Sequence, residues 1–184
     1  SMKMHGASAD SFPAIVASGV NSSMPHAMPS SKEIAEGEFI TMDFGCIYNG
    51  YCSDMTRTVV LGKASDRQRE IYDIVLRAQT ETLKGMHAGM TGQEVDAIAR
   101  NIIQDAGYGD CFGHGLGHSV GLEIHESPNA NMRERRVLKP GMLMTVEPGI
   151  YVKDFGGVRI EDLVVIREDG IENLTFSEKK LIEL

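Results

Sequence analysis

Hydrophobic positions recur at helical spacing in one central stretch of this 184-residue chain, and in short strand-like runs on both sides of it. The central stretch contains two capping boxes, which begin at Ser65 and Thr91. Apolar residues follow each box every three or four positions, and this spacing predicts helices over residues 66–86 and 92–106. Gly107 then provides a signal for the end of the second helix.

The runs outside the helices have the length and the β-branched content of strands. They cover residues 12–19, a hairpin over 39–62, residues 142–152 and residues 156–168, and a turn at Asp169-Gly170 leads into a last strand. Strands joined by tight turns pair antiparallel, so we expect a mostly antiparallel sheet. Two helices between two strand-rich halves predict an α+β fold with the helices on one face of the sheet.

The hairpin brings two carboxylates together. Asn49-Gly50 is the strongest two-residue turn signal, and it fixes the register of the strands on either side. In that register Asp43 and Asp54 share one face as diagonal neighbours, whose backbones lie about 7–8 Å apart. Their side chains can lean together to hold one cation or a close pair, whereas without a cation they repel each other.

Composition narrows the class of protein. Net charge is −8 with a pI near 5.2 and no cluster of lysine and arginine, which argues against nucleic acid or an anionic membrane as a partner. No apolar run approaches the length of a membrane span. Three cysteines without CxxC spacing favour neither a disulfide framework nor a zinc knuckle, so we expect a reducing, cytoplasmic location.

The segment FGHGLGHSVGLEIHE, residues 112–126, contains three of the six histidines. His114 and His118 are four positions apart, the spacing of zinc ligands on a protease helix. The four glycines of the segment disfavour a helix, at about 1 kcal/mol each relative to alanine, and favour an extended or looping backbone. A glycine-rich turn with incidental histidines is the alternative, but three histidines followed by an acid favour a ligand site.

Two further acids, Glu147 and Glu161, lie inside apolar strand-like runs. An acid in a strand usually faces solvent, but a carboxylate buried in such a run needs a partner. With the hairpin pair they make four carboxylates near a histidine-rich segment. Such a donor set suits two adjacent divalent ions of the manganese, cobalt, iron or zinc type, which can activate water and polarise an amide carbonyl. The residues therefore indicate a metallopeptidase.

Five motifs resemble, in order, those of the proline-specific branch of the "pita-bread" metallopeptidases. They are MDFG with Asp43, CSDMTRT with Asp54, GHGLGHSVGLEIHESP with His118, VEPGIY with Glu147 and VRIEDLVVI with Glu161. The branch comprises Xaa-Pro dipeptidase (prolidase) and Xaa-Pro aminopeptidase. The resemblance covers residues 11–184. Methionine aminopeptidase shares the fold and the ligands, but it lacks the GLEIHE continuation and is the weaker match.

The resemblance implies a ligand set for two metal ions. Asp43 would bind one ion, His118 and Glu147 would bind the other, and Asp54 and Glu161 would bridge the two. Glu147 would also carry a proton from the attacking water to the leaving proline nitrogen. Manganese is the expected metal, with cobalt, zinc or iron as alternatives.

The resemblance also assigns residues around the substrate. His26 would contact substrate near the scissile bond, His125 would stabilise the oxyanion and His114 would line the proline pocket. Arg159 would steady the ligands and the end of the substrate. A plain ion pair between Arg159 and a nearby acid is the alternative.

Domains of this family have two pseudo-symmetric halves that each begin with a pair of helices, and the sequence predicts only the second pair. We therefore expect residues 3–184 to be a partial C-terminal catalytic domain, without the first helices and the N-terminal domain. Apolar surface near residues 12–20 would then lack its cover. We expect this chain by itself to form a homodimer and to have little or no peptidase activity.

The function expected from the sequence is a two-metal hydrolase that cleaves the peptide bond before proline. A dipeptidase is favoured, with an Xaa-Pro aminopeptidase acting on longer peptides as the alternative. A third interpretation is a pita-bread binding protein that has lost catalysis, and the five candidate ligands argue against it. The expected partner is a proline-containing di- or oligopeptide.

Overall fold

The structure is a computed structural model that describes all 184 residues. It contains two α-helices, α1 (Asp66–Gly85) and α2 (Gly92–Asp105), and short 3-10 helices at Met2–His5, Gly19–Ser23 and Gly109–Cys111. The strands are β1 (Ala9–Asp10), β2 (Ile15–Ser18), β3 (Phe39–Phe44), β4 (Cys46–Tyr48), β5 (Tyr51–Cys52), β6 (Met55–Val60), β7 (Gly117–Ser119), β8 (Glu126–Ala130), β9 (Leu143–Val146), β10 (Gly149–Val152), β11 (Gly156–Arg159), β12 (Asp162–Arg167) and β13 (Gly170–Asn173).

The strands form small antiparallel sheets, in the orders β1-β4-β5, β2-β3-β6, β13-β12-β9, β10-β11 and β7-β8. The one parallel contact is an isolated bridge between Val60 and Glu183. The predicted α+β class with a mostly antiparallel arrangement is therefore confirmed.

Both helices begin as predicted, because the capping boxes at Ser65 and Thr91 form their reciprocal hydrogen bonds. The buried face of α2 differs from the predicted apolar stripe. Asp96 is buried there, while Ile98 and Ile102 are only half-buried. Asp96 can be buried because its carboxylate is paired with Arg100, at 2.6 Å between Oδ2 and Nε.

The predicted hairpin has the expected register, with Asp43 opposite Thr56. Asn49 and Gly50 both have positive φ angles, 50° and 85°, as a type I′ turn requires. The hairpin is interrupted at Gly45, where β3 gives way to β4. A β-carbon on Gly45 would lie 1.8 Å from the backbone oxygen of Ser53, so only glycine fits this crossing.

The predicted strands at 142–152 and 156–168 were wrong in one respect, because each is broken in two. The first breaks between Val146 and Gly149, around Pro148, which has no N–H to donate to a ladder. The second breaks at residues 160–161, between β11 and β12. The strand predicted over 12–19 begins only at Ile15, after Pro13.

The apolar core lies between the helices and the strands β9 to β12. It is a cluster of 21 buried residues, which includes Tyr72 and Val75 from α1, Ile103 from α2 and Ile150 and Ile160 from the strand side. Neither helix is long and apolar enough to cross a membrane.

Threonine hydroxyls join the two strand-rich halves. Thr58 of β6 donates to the carbonyl oxygen of Arg159 at 3.0 Å, and Thr41 of β3 donates to that of Gly157 at 3.1 Å. The amide of Glu161 also donates to the carbonyl oxygen of Thr56, at 3.1 Å. These bonds bring the N-terminal hairpin against the second strand break.

Replacing Ser65 with alanine tests the capping box of α1. Ser65→Ala removes the acceptor for the Gln68 amide, so we expect the free energy of unfolding to fall by about 1 kcal/mol. That loss corresponds to a drop in Tm of about 2–4 °C, measurable by thermal unfolding followed by circular dichroism. Ser31→Ala at an exposed loop position is the control, and an equal drop in both variants would contradict the prediction.

Candidate metal centre

The five candidate ligands come from five separate places in the chain and meet in one region. Asp43 lies in β3, Asp54 directly precedes β6, His118 is the central residue of β7, and Glu147 and Glu161 occupy the two strand breaks. Ligand atoms of Asp54, His118 and Glu161 all lie within 4.8 Å of one another. Oε1 of Glu147 is 3.3 Å from Nε2 of His118.

Three carboxylate oxygens in this region are buried without a hydrogen-bond partner. They belong to Asp43 (Oδ1), Asp54 (Oδ1) and Glu161 (Oε1), and no other buried side-chain nitrogen or oxygen in the chain lacks a partner. An unpaired buried polar atom is costly, and such atoms are rare in folded proteins. Three of them in one acidic cluster fit a site whose partner is a cation.

The orientation of the His118 ring gives a second test of whether these residues suit a cation. Its Nδ1 lies 3.1 Å from the carbonyl oxygen of Ser119, which can only accept, so Nδ1 carries a proton. In the neutral ring the lone pair of Nε2 then faces two carboxylate oxygens, at 3.5 Å from Asp54 and 3.3 Å from Glu147. This contact is repulsive unless a proton or a metal ion lies between the atoms. The donor set therefore suits a divalent cation.

Burial and the closeness of the other acids change the pKa values of the candidate ligands. Burial, followed by the charges of Glu147, Asp54 and Asp43, raises the pKa of Glu161 well above its ordinary value. Burial raises the pKa of Glu147 to about 7. Burial by itself lowers the pKa of His118, but the hydrogen bond to Asp54 and the charge of Glu147 outweigh it and raise that pKa. These shifts favour protonated forms of Glu147, Glu161 and His118.

Two threonines that the sequence did not single out orient the carboxylates. The hydroxyl of Thr56 donates to Oε2 of Glu161 at 2.7 Å. The hydroxyl of Thr145 donates to Oε1 of Glu147 at 3.0 Å and accepts from the amide of His118 at 3.0 Å. Thr56 lies two positions after Asp54, and Thr145 lies two positions before Glu147. Side chains two positions apart in an extended backbone point to the same face, and this spacing could have identified both threonines from the sequence.

Gly117 allows β7 to approach β9 closely. A β-carbon at this position would lie 2.0 Å from the carbonyl oxygen of Thr145. The extended backbone predicted for the glycine-rich segment is thus present in β7, and it brings His118 beside Glu147.

Arg159 is buried against the acids. Its NH2 group donates to Oδ2 of Asp43 at 2.6 Å, and its Nε is 4.0 Å from Glu147. The ion-pair interpretation thus describes its contacts, and the paired acid is one of the candidate ligands.

A chain of hydrogen bonds runs from Arg159 through Tyr151 to His114. NH1 of Arg159 donates to the Tyr151 hydroxyl at 2.8 Å, and this hydroxyl is 2.9 Å from Nε2 of His114. Nδ1 of His114 donates to the carbonyl oxygen of Gly115, so Nε2 accepts from the tyrosine. Burial lowers the pKa of His114 to about 4, which keeps the ring neutral. Tyr151 was missed, although it ends the motif VEPGIY.

His125 and His26 lie at the exposed edge of the site. The ring of His125 packs edge-on against His118, with centroids 4.5 Å apart. His26 is exposed, and the preceding residue, Pro25, accepts a hydrogen bond from Arg159 at 3.3 Å. Neither histidine forms a hydrogen bond or ion pair with a candidate carboxylate, and His125 contacts the cluster through the ring of His118.

Residues 1–168 match the model of metallopeptidase family M24. The chain belongs to this family. It is 51% identical over 181 residues to the Xaa-Pro dipeptidase of Pyrococcus furiosus, a match that covers 98% of this chain and 52% of the relative. It is also 51% identical over 183 residues to a Bacillus subtilis protein named "Uncharacterized peptidase YqhT".

Solved structures of family members share the fold. An Xaa-Pro dipeptidase from Bacillus anthracis superposes with a TM-score of 0.98 at 52% identity, over 100% of this chain and 52% of that one. An X-Pro aminopeptidase from Thermotoga maritima superposes with a TM-score of 0.97 at 44% identity, with the same coverage. The chain spans about half the length of these relatives. The predicted pita-bread fold and family are confirmed.

The acid cluster predicts how the stability of the metal-free M24 chain depends on pH. Glu147 has a folded pKa of about 7 against an ordinary value of 4.5, so the folded state binds its proton more tightly than the unfolded state. The resulting stability is complete below about pH 4.5 and is lost as the pH rises through 7. We therefore expect Tm after EDTA treatment to fall by several degrees between pH 5 and pH 8.

Manganese should stabilise the protein more at pH 8 than at pH 5, because the ligands must lose their protons to bind it. In Glu147→Gln the decrease in Tm of the metal-free protein should be shallower, because the titrating group is absent. A decrease in Glu147→Gln as steep as that of the unsubstituted chain would show that the Glu147 carboxyl is not held protonated in the fold.

Proposed function

We propose that the chain is the metal-binding part of a two-metal peptidase that cleaves the peptide bond before proline. The observation that carries the proposal is the cluster of carboxylates around Nε2 of His118, with three buried oxygens that lack a partner. Membership of a metallopeptidase family and the Xaa-Pro dipeptidases among its relatives support the same conclusion.

We assign the ligands as the motif order implies. Asp43 would hold one ion, His118 and Glu147 would hold the other, and Asp54 and Glu161 would contribute to both. Asp43, Asp54 and Glu161 each keep one buried oxygen free of hydrogen bonds, which supports a ligand role for all three. Manganese is the proposed metal, since most of the donors are oxygens. When bound, the two ions lower the pKa of a water molecule and polarise the substrate carbonyl.

Glu147 is the proposed proton carrier. The Glu147 carboxylate can take a proton from the attacking water and donate it to the leaving proline nitrogen. The Thr145 hydroxyl holds Oε1, which leaves the second oxygen of the carboxylate without that bond.

The residues at the edge of the site contact the substrate in this proposal. His125 donates to the carbonyl oxygen as it becomes an oxyanion, and His26 contacts the substrate beside the scissile bond. Both nitrogens of His114 are already engaged, so its ring would offer a surface to the proline ring and no hydrogen bond. Arg159 holds Asp43 and steadies the substrate end of the site.

A dipeptidase is the favoured specificity, and an Xaa-Pro aminopeptidase is the alternative that the Thermotoga maritima structure supports. We further propose that residues 3–184 form the C-terminal catalytic portion of a longer enzyme. A non-catalytic binding protein is disfavoured, because it would have no reason to keep unpaired buried carboxylates.

The proposed location is the cytoplasm, in keeping with three free cysteines. We propose a homodimer, with neither nucleic acid nor membrane as a partner. Val16, Val20 and Met24 are large apolar side chains that are about half exposed near β2, and a second copy could cover them.

Glu147→Gln tests the proton carrier in a chimera in which this chain replaces the matching segment of the Bacillus anthracis Xaa-Pro dipeptidase, because the chain by itself is expected to have little or no activity. The amide keeps an oxygen donor but cannot accept the proton, so we expect kcat to fall by about 10²–10⁴-fold. Manganese binding, measured by isothermal titration calorimetry, should be reduced only in part. Glu168→Gln at an exposed position is the matched control. Unchanged turnover in Glu147→Gln would refute the assigned role.

Specificity is tested in a chimera in which this chain replaces the matching segment of the Bacillus anthracis Xaa-Pro dipeptidase. With manganese, we expect kcat/KM for Ala-Pro to exceed that for Ala-Pro-Ala, and Ala-Ala should not be cleaved. A preference for the tripeptide would favour the aminopeptidase. A chimera that binds manganese but cleaves none of these peptides would contradict both specificities.

A further inference from the structure

A second buried charged cluster lies behind the candidate metal centre, and none of the roles assigned above uses it. Arg57 of β6 pairs with Asp162, the first residue of β12, at 2.8 Å between NH2 and Oδ1. The side chains are 9% and 0% exposed. The other carboxylate oxygen, Oδ2 of Asp162, accepts from Gln79, Asn173 and Lys179.

The guanidinium of Arg57 uses all five of its N–H donors. Besides Asp162, its acceptors are four backbone carbonyl oxygens: one on β6, one in the break between β11 and β12, and two on the C-terminal segment. They belong to Thr56, Glu161, Ser177 and Glu178. A buried arginine that mostly binds backbone fixes the separation of the segments it joins.

The carbonyl groups of Thr56 and Glu161 connect Arg57 to the candidate metal centre. Glu161 lies in the break between β11 and β12, so its carbonyl oxygen has no partner in a strand ladder. NH1 of Arg57 donates to this oxygen and, at 2.9 Å, to the carbonyl oxygen of Thr56. The Thr56 hydroxyl in turn holds Oε2 of Glu161 at 2.7 Å. Arg57 therefore holds the backbone on both sides of that carboxylate.

We propose that Arg57 is a positioning residue for the metal centre, which sets the distance between the Glu161 carboxylate and Asp54 by fixing the backbone of residues 56 and 161. This inference rests on the proposed function, because it takes Glu161 to be a metal ligand. Lysine cannot replace the arginine, since one ammonium group has three donors on a flexible stem and cannot serve five dispersed acceptors.

Manganese binding to the 184-residue chain tests the proposal, with free Mn²⁺ counted by electron paramagnetic resonance. Arg57→Met removes the charge, and Arg57→Lys retains it and is the milder change should the first variant fold poorly. We expect both to weaken manganese binding by about 10–100-fold, as loss of a residue that holds a ligand does. The visible absorption spectrum of the cobalt-loaded protein should change in both variants, because the arrangement of the ligands changes.

Val75→Ala is the matched control for a general loss of stability, because Val75 is fully buried in the core on α1. It should lower Tm while leaving manganese affinity within twofold and the cobalt spectrum unchanged. Wild-type affinity in both Arg57 variants, or an equal loss in Val75→Ala, would overturn the positioning role alone. A wild-type chain that binds no manganese would overturn the proposed function, and this inference with it.

Discussion

Repulsion among buried carboxylates is the constraint on which the rest of this structure depends. Two like charges about 4 Å apart repel by roughly 4 kcal/mol at the effective dielectric of a protein, and here four acids share one region. The folded chain relieves the repulsion in two ways. The raised pKa values of Glu147 and Glu161 favour their protonated forms, and Arg159 pairs with Asp43. Neither remedy gives a hydrogen-bond partner to the three buried oxygens of Asp43, Asp54 and Glu161.

The strand breaks explain how the fold gathers these acids. A continuous antiparallel strand turns alternate side chains to opposite faces, so each acid within it is fixed to one face of the sheet, as Asp43 is in β3. Glu147 and Glu161 lie where a strand stops and another begins. The freed backbone groups then find other partners, such as the carbonyl oxygen of Leu116 for the Glu147 amide and that of Thr56 for the Glu161 amide. These contacts fasten the breaks to β6 and to the segment before β7.

Short sequence signals correctly predicted the helix starts and the hairpin turn, which depend on contacts between residues close together in the chain. Both capping boxes, the Asn49-Gly50 turn and the register that follows from it are present in the structure. The strand breaks were not predictable from hydrophobic pattern alone, because the pattern continues across them. The family motifs located the candidate ligands. The motif CSDMTRT also contains Thr56 and Arg57, but it assigns them no role, because their partners are more than 100 residues away in several cases.

Two arginines stabilise the site through different contacts, Arg159 through carboxylate oxygens and Arg57 through backbone carbonyl oxygens. Arg159 contacts carboxylate oxygens directly, so its charge compensates the acids while it competes with any cation for Asp43. Arg57 binds the backbone carbonyl oxygens of Thr56 and Glu161 and neutralises Asp162. It donates to no carboxylate of the metal centre. The Arg57 guanidinium therefore holds the backbone of residues 56 and 161 in place without occupying a carboxylate oxygen of a candidate ligand. This separation allows the centre to be held rigidly while three of its oxygens stay free for a cation.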